Sequence, residues 1–138
     1  MVPKRIIWHH SADNSNENQF AKIDAYHKTR GFPISSLGYY VGYHFVIEKN
    51  GAVIKARMSD EIGAHDQGEN PDSVGICLAG NFDIEMPTYA QELAFRVVLL
   101  ELMLKWGITL LQIEPHRRDD QTSCPGKNLQ DNYPISLL

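Results

Sequence analysis

YHFVIEKNGAVIKARM, residues 43–58, holds two runs of β-forming residues on either side of Asn50-Gly51. Tyr, Phe, Val and Ile suit a pleated, half-buried surface. Asn-Gly is the pair that favours a two-residue type I′ turn, because both residues tolerate positive φ. The stretch predicts an antiparallel hairpin. Around it, strands and helices alternate, a pattern that alone would suggest an all-parallel sheet. The hairpin makes the expected architecture an α/β fold with a central mixed β-sheet flanked by helices.

The other strands are read outward from there. RIIWHH (5–10) is a short β-type run ending in two histidines. SVGICLAG (73–80) is continuously apolar, as a central strand covered on both faces would be. ITLLQIEP (108–115) reads as a last strand leading into His116. SADNSNEN (11–18) is polar turn and cap material, and GFPISSLGYYVG (31–42) is a loop punctuated by Gly and Pro.

Two helices are bounded by end signals. From Gln19 to Arg30, Phe20, Ile23 and Tyr26 or His27 recur at helical spacing, and Gly31 is placed to stop the helix. TYAQ (88–91) fits a capping box, with Thr88 as N-cap and Gln91 three positions on. That helix is expected to run to Trp106 and end at Gly107. Leu93, Val97, Leu100 and Leu104 form one stripe, widened by Val98, Leu99, Leu102, Met103 and Trp106. The expectation is a helix buried on most sides, with Leu100 at the centre of its buried face.

Composition narrows the class of protein. A length of 138 residues suggests a single domain spanning 1–138, and 43 % apolar with 22 % charged residues excludes a disordered chain. The net charge of -4 argues against nucleic acid as partner, since the only basic cluster, Arg117-Arg118, is followed by Asp119-Asp120. Two cysteines are too few for a disulfide framework, so both are read as reduced, with Cys77 a buried, hydrophobe-like thiol. The most apolar helix carries Arg96, Glu101 and Lys105, which argues against stable membrane insertion. MVPKRIIWHH lacks the apolar stretch of a signal peptide, so synthesis in the cytoplasm is expected.

HRRDDQTSCPG (116–126) raises the question of chemistry. His9, His116 and Cys124 together offer two imidazoles and a thiolate, a good zinc set. Three protein ligands leave a fourth tetrahedral position open, which marks a catalytic site. Two other readings use the same residues. One is a surface histidine and a packed thiol. The other is a cysteine hydrolase, with Cys124 as nucleophile, His116 as base, and Pro125 opening a helix whose N-terminus lowers the thiol pKa. His10 competes with His9, because neighbours in a strand face opposite sides and the sequence leaves their parity open.

WHHSAD, GYHF before the Asn-Gly hairpin, GAHDQG, VGICLAGNFD and HRRDDQTSCPG occur in that order. This series resembles the zinc N-acetylmuramoyl-L-alanine amidases, the family shared by small phage amidase-lysozymes and peptidoglycan recognition proteins. The likeness runs from Ile6 to Leu129. It implies Zn2+ held by His9, His116 and Cys124, and it implies Tyr43 as the catalytic hydroxyl. His44, on the other sheet face, would be structural, and His65 would be a groove histidine beside the substrate. Thr122 occupies the position where phage members carry lysine, so it would offer the oxyanion a hydrogen bond without a charge. The implied reaction is hydrolysis of the amide between N-acetylmuramic acid and L-alanine in peptidoglycan or muropeptides. The implied protein is a monomeric, bacteriolytic endolysin that reaches the cell wall through a membrane pore, or else a cytoplasmic enzyme of wall recycling. A non-catalytic peptidoglycan-binding module is the remaining alternative, and the complete ligand set counts against it.

Overall fold

The computed structural model describes residues 1–138. Five strands form one sheet in the order β3-β2-β4-β1-β5. They are β1 (Arg5–His10), β2 (Phe45–Ile47), β3 (Val53–Lys55), β4 (Ser73–Leu78) and β5 (Ile113–Pro115). β1 pairs in parallel with β4 and β5, β2 pairs in parallel with β4, and β3 runs antiparallel to β2 at the edge. The sheet is therefore mixed, as the hairpin implied. β4 and β1 lie inside it, and all six residues of β4 are buried.

Alternation along the strands feeds two cores. Ile6, Trp8, Phe45, Ile47, Val74, Ile76 and Leu78 face α2 (Tyr89–Trp106) and pack with Phe95, Val98, Leu99 and Leu102. Val46 and Cys77 face the other way, toward Phe20 on α1 (Gln19–Thr29) and toward Val41 and Ala56. A short α3 (Tyr133–Ser136) closes the α2 side, where the Tyr133 ring lies 6.0 Å from that of Trp8.

Both helix starts are held by side chains. Asn18 accepts a hydrogen bond from the Phe20 amide, and the buried Glu48 carboxylate accepts from the amides of Gln19 and Phe20 at 3.0 and 2.7 Å. A negative group suits a helix N-terminus, and this one ties α1 to the hairpin. At α2 the capping box forms, with Thr88 and Gln91 exchanging side chain-to-backbone bonds at 3.1 Å. Gly31 and Gly107, each with positive φ, follow the two helices where the sequence placed their stops.

Three expectations are corrected. The hairpin turn is not a two-residue I′ turn on Asn50-Gly51. The Gly51 amide bonds the Glu48 carbonyl, Glu48 and Ala52 pair next, and only Gly51, at φ 86°, takes a positive angle. That is a type I turn followed by a glycine bulge, and Asn50 spends its side chain accepting from the Ala52 amide. The last strand is shorter than ITLLQIEP, because Leu110–Gln112 form a 3₁₀ turn with Leu111 exposed. Finally, α2 is not buried on most sides. Phe95, Val98, Leu99 and Leu102 are its buried apolar residues, whereas Leu93, Val97, Leu100 and Leu104 are 41–87 % exposed. At 100° per residue the two stripes lie on opposite sides of the helix, and the sheet takes the one that carries Phe95 against Trp8.

Candidate metal centre

β1 and β5 are parallel neighbours, and their register sets Trp8 beside Pro115. The residue after each is a histidine, His9 within β1 and His116 in the 3₁₀ turn that follows β5, so the two emerge side by side at the carboxyl edge of the sheet, ring centroids 4.5 Å apart. Crevices beyond the carboxyl ends of parallel strands are where α/β sheets bind ligands. The chain then folds back to bring Cys124 over the same edge. Arg117 holds that return. Its amide donates to the Cys124 carbonyl at 2.8 Å, and its guanidinium donates to the carbonyls of Gly126 and Leu129 and to Asp131. The basic cluster noted in the sequence is thus a loop clamp.

The ligand atoms of His9, His116 and Cys124 all lie within 4.8 Å of one another, and Cys124 Sγ is 3.8 Å from His9 Nδ1. Zinc at about 2.0–2.3 Å from N and S donors in a tetrahedron requires comparable ligand–ligand separations. The local electrostatics suit a cation. Burial, then the neighbouring histidines, hold His9 well below its ordinary range and keep it neutral. Burial lowers His116 as well. Burial pushes the Cys124 thiol up to about 12, so a thiolate there needs a positive partner.

Strand parity separates the two adjacent histidines. His10 pairs with Leu78 on the α2 side, and its Nδ1 accepts from the Phe82 amide at 3.1 Å. Only its backbone carbonyl approaches Cys124 Sγ, at 3.9 Å.

Around the triad, the Tyr43 ring lies 5.0 Å from the His9 ring. Burial, then the Cys77 and Cys124 thiols, keep its phenol protonated well beyond the usual range. His44 is structural, as expected, but it does not point to the opposite sheet face. Its Nδ1 accepts from the Gly75 amide, its Nε2 donates to the Glu61 carbonyl, and its ring lies 5.7 Å from that of His65. Residues 43 and 44 precede β2, so strict strand alternation does not govern them. His65 is 9 % exposed and sits at the wall of a groove of about 360 Å³ that also includes His116, Asp66 and Arg30. Its Nδ1 is 3.1 Å from His9 Nε2, the nitrogen turned away from Cys124. It fits there because residue 75 is glycine: a Cβ would come within 2.5 Å of the His65 ring. Thr122 is exposed, and its hydroxyl oxygen accepts from the Cys124 amide at 3.1 Å.

The cysteine-hydrolase arrangement is not what the fold builds. The Cys124 thiol contacts His9 and the His10 carbonyl instead of His116, and the residues after it form turns, with no helix until α3.

A mixed α/β sheet carrying a His-His-Cys set at its carboxyl edge, beside a groove, has the form of a metallohydrolase. The family described as N-acetylmuramoyl-L-alanine amidase matches residues 1–127. An endolysin of Klebsiella phage KP32 is 33 % identical over 114 residues, covering 79 % of this chain and 70 % of that protein. Peptidoglycan-recognition protein SC2 of Drosophila melanogaster is 32 % identical over 125 residues, covering 89 % and 68 %. Among solved structures, the N-acetylmuramoyl-L-alanine amidase LysC from Clostridium intestinale superposes with a TM-score of 0.80 at 34 % identity, covering 98 % of this chain and 81 % of that one. The chain belongs to the N-acetylmuramoyl-L-alanine amidase family, and its activity class is that of a peptidoglycan-cleaving amidase.

Proposed function

We propose that this chain, as one catalytic domain over 1–138, is a zinc-dependent endolysin that cleaves the amide between N-acetylmuramic acid and L-alanine. The observation that carries the metal assignment is the convergence of His9, His116 and Cys124 at the ends of two neighbouring strands and a clamped loop. Zinc, when bound, supplies Lewis acidity toward a carbonyl and acidifies water toward a pKa of about 7.

The chain's own groups do the rest. His65 braces His9 from behind and fixes which nitrogen faces Cys124. The protonated Tyr43 hydroxyl donates to the oxyanion that develops on the attacked carbonyl. The Thr122 oxygen receives the Cys124 amide and its O–H is left to donate, so it steadies the loop and adds one neutral hydrogen bond. The groove beside His65 and His116 adjoins the triad and is where the substrate would lie. All these groups come from one chain, so a monomer suffices. No helix of the chain is long and apolar enough to cross a membrane, and the site of action on this reading is the cell wall.

The test is metal content and turnover on purified peptidoglycan, measured on the same samples. One zinc per chain is expected. His9→Ala, His116→Ala and Cys124→Ser should lose both metal and turnover, while His10→Ala keeps the metal. Full activity after exhaustive chelation would refute the zinc reading and restore a thiol mechanism.

A further inference from the structure

We propose that Asp66 is a positioning residue for His116: its carboxylate attracts the outer ring N–H from ion-pair range and closes to a hydrogen bond when the metal binds, so that the other nitrogen faces the metal. The inference rests on the zinc reading above, and the measurements below separate the two. The Asp66 side chain is 2 % exposed, and its Oδ1 lies 3.8 Å from His116 Nε2. Its Oδ2 is buried with no hydrogen-bond partner. An unpaired buried carboxylate is costly and needs a reason. No cation supplies one. Asp66 forms no ion pair with a lysine or arginine, and its one basic neighbour within 4 Å is the His116 ring.

The two histidines of the triad share a pattern. His9 turns Nδ1 to Cys124 and Nε2 to His65. His116 turns Nε2 to Asp66, and also to Asp120 at 3.6 Å. Its Nδ1 is then the nitrogen left for the centre. Metal-binding histidines ordinarily give their other N–H to an acceptor that fixes tautomer and ring orientation. Asp120 is the weaker acceptor, because its side chain is 60 % exposed and solvent screens it. Asp66 is pinned: its amide donates to Asn70 Oδ1 at 3.0 Å, and its carbonyl accepts from the amides of Glu69 and Asn70.

Zinc affinity is measured by competition with a chelator of known strength at pH 8, together with the thermal midpoint of the metal-free protein. Asp66→Ala is expected to weaken zinc binding about 10–100-fold, while the metal-free protein melts no lower than wild type because an unpaired buried charge is gone. A residue that merely supports the fold gives the reverse: a lower midpoint and unchanged affinity. Asp66→Asn, which keeps a carbonyl acceptor, should fall between wild type and Asp66→Ala, and it carries the test if the alanine variant does not fold. Asp120→Ala should change affinity by less than about threefold. Nitrogen-15 NMR of metal-free protein should show His116 protonated on Nε2 in wild type and as a tautomer mixture in Asp66→Ala. Affinity of Asp66→Ala within about twofold of wild type overturns the proposal. If wild type binds no zinc, the metal reading fails, and an unchanged His116 tautomer in Asp66→Ala still overturns the role of Asp66.

Discussion

The buried imidazole of His44 shows how one residue sets a pH limit on the fold. It must be neutral, because Nδ1 accepts from the Gly75 amide while Nε2 donates to Glu61. Burial lowers its pKa to about 4. An unfolded histidine titrates near 6.5. Between those values the unfolded chain binds the proton and the folded one does not, so stability is full above about pH 6.5 and declines as pH falls toward 4. Denaturant unfolding at pH 7.0, 6.0 and 5.0, above most carboxylate titration, is expected to show a steady loss, and a flat profile would contradict it. Tyr43 makes a separate prediction. Tyr43→Phe should keep its zinc and lose about 10²–10³ in turnover, the usual effect of removing an oxyanion donor. Thr122→Ala should cost much less, about 0.5–1.5 kcal/mol, because its neutral hydroxyl braces Cys124 and offers one uncharged bond. Full activity in Tyr43→Phe, with metal content measured alongside, would remove Tyr43 from the chemistry.

At the scale of elements, α2 gives the sharpest contrast. Leu99 is fully buried and Leu100, one residue on, is 41 % exposed. Leu99→Ala leaves a cavity against the sheet and should cost about 2–5 kcal/mol. Leu100→Ala should stay near 0.5 kcal/mol, as surface changes do. Equal losses in urea unfolding would mean that the buried face is wrongly assigned. The hairpin turn supplies a second case. Gly51 has φ 86°, and a Cβ there would meet the Ala90 carbonyl oxygen at 2.8 Å. Gly51→Ala therefore pays left-handed strain and presses on the first turn of α2, for an expected loss of about 1–2 kcal/mol. Asn50, whose φ is ordinary, should tolerate alanine better.

For the whole molecule, the candidate centre joins the first strand to a loop 115 residues later. A ligand that binds only the folded chain stabilises it by mass action, by about 4 kcal/mol at a thousandfold excess over its dissociation constant. Zinc should therefore raise the melting temperature by several degrees, and chelation should lower it reversibly in the wild type. Cys124→Ser should melt at the same temperature with and without chelator. A wild-type midpoint unaffected by chelation would disconnect the centre from the fold.

Local signals in the sequence determined a good deal. The hairpin forced a mixed sheet, Thr88 and Gln91 marked the start of α2, and Gly31 and Gly107 marked the helix stops, since caps and turns are chemistry between near neighbours. The ordered motifs identified the amidase family and named His9, His116 and Cys124 together. Tertiary structure decided what local rules leave degenerate. Strand parity put His9 and not His10 beside His116, through the pairing of Trp8 with Pro115. α2 offers apolar stripes on both sides, and only the shape of the sheet selects Phe95 and Leu99 over Leu93 and Leu100. The roles of Glu48 at the start of α1, of Arg117 clamping the Cys124 loop and of Asp66 behind His116 carried no readable signal, and the motif that marked His65 as a groove histidine said nothing of its bracing His9. Each acts through a partner that is distant in the chain or through a loop carbonyl whose position the fold sets, and spacing in a sequence does not encode which buried polar groups will meet.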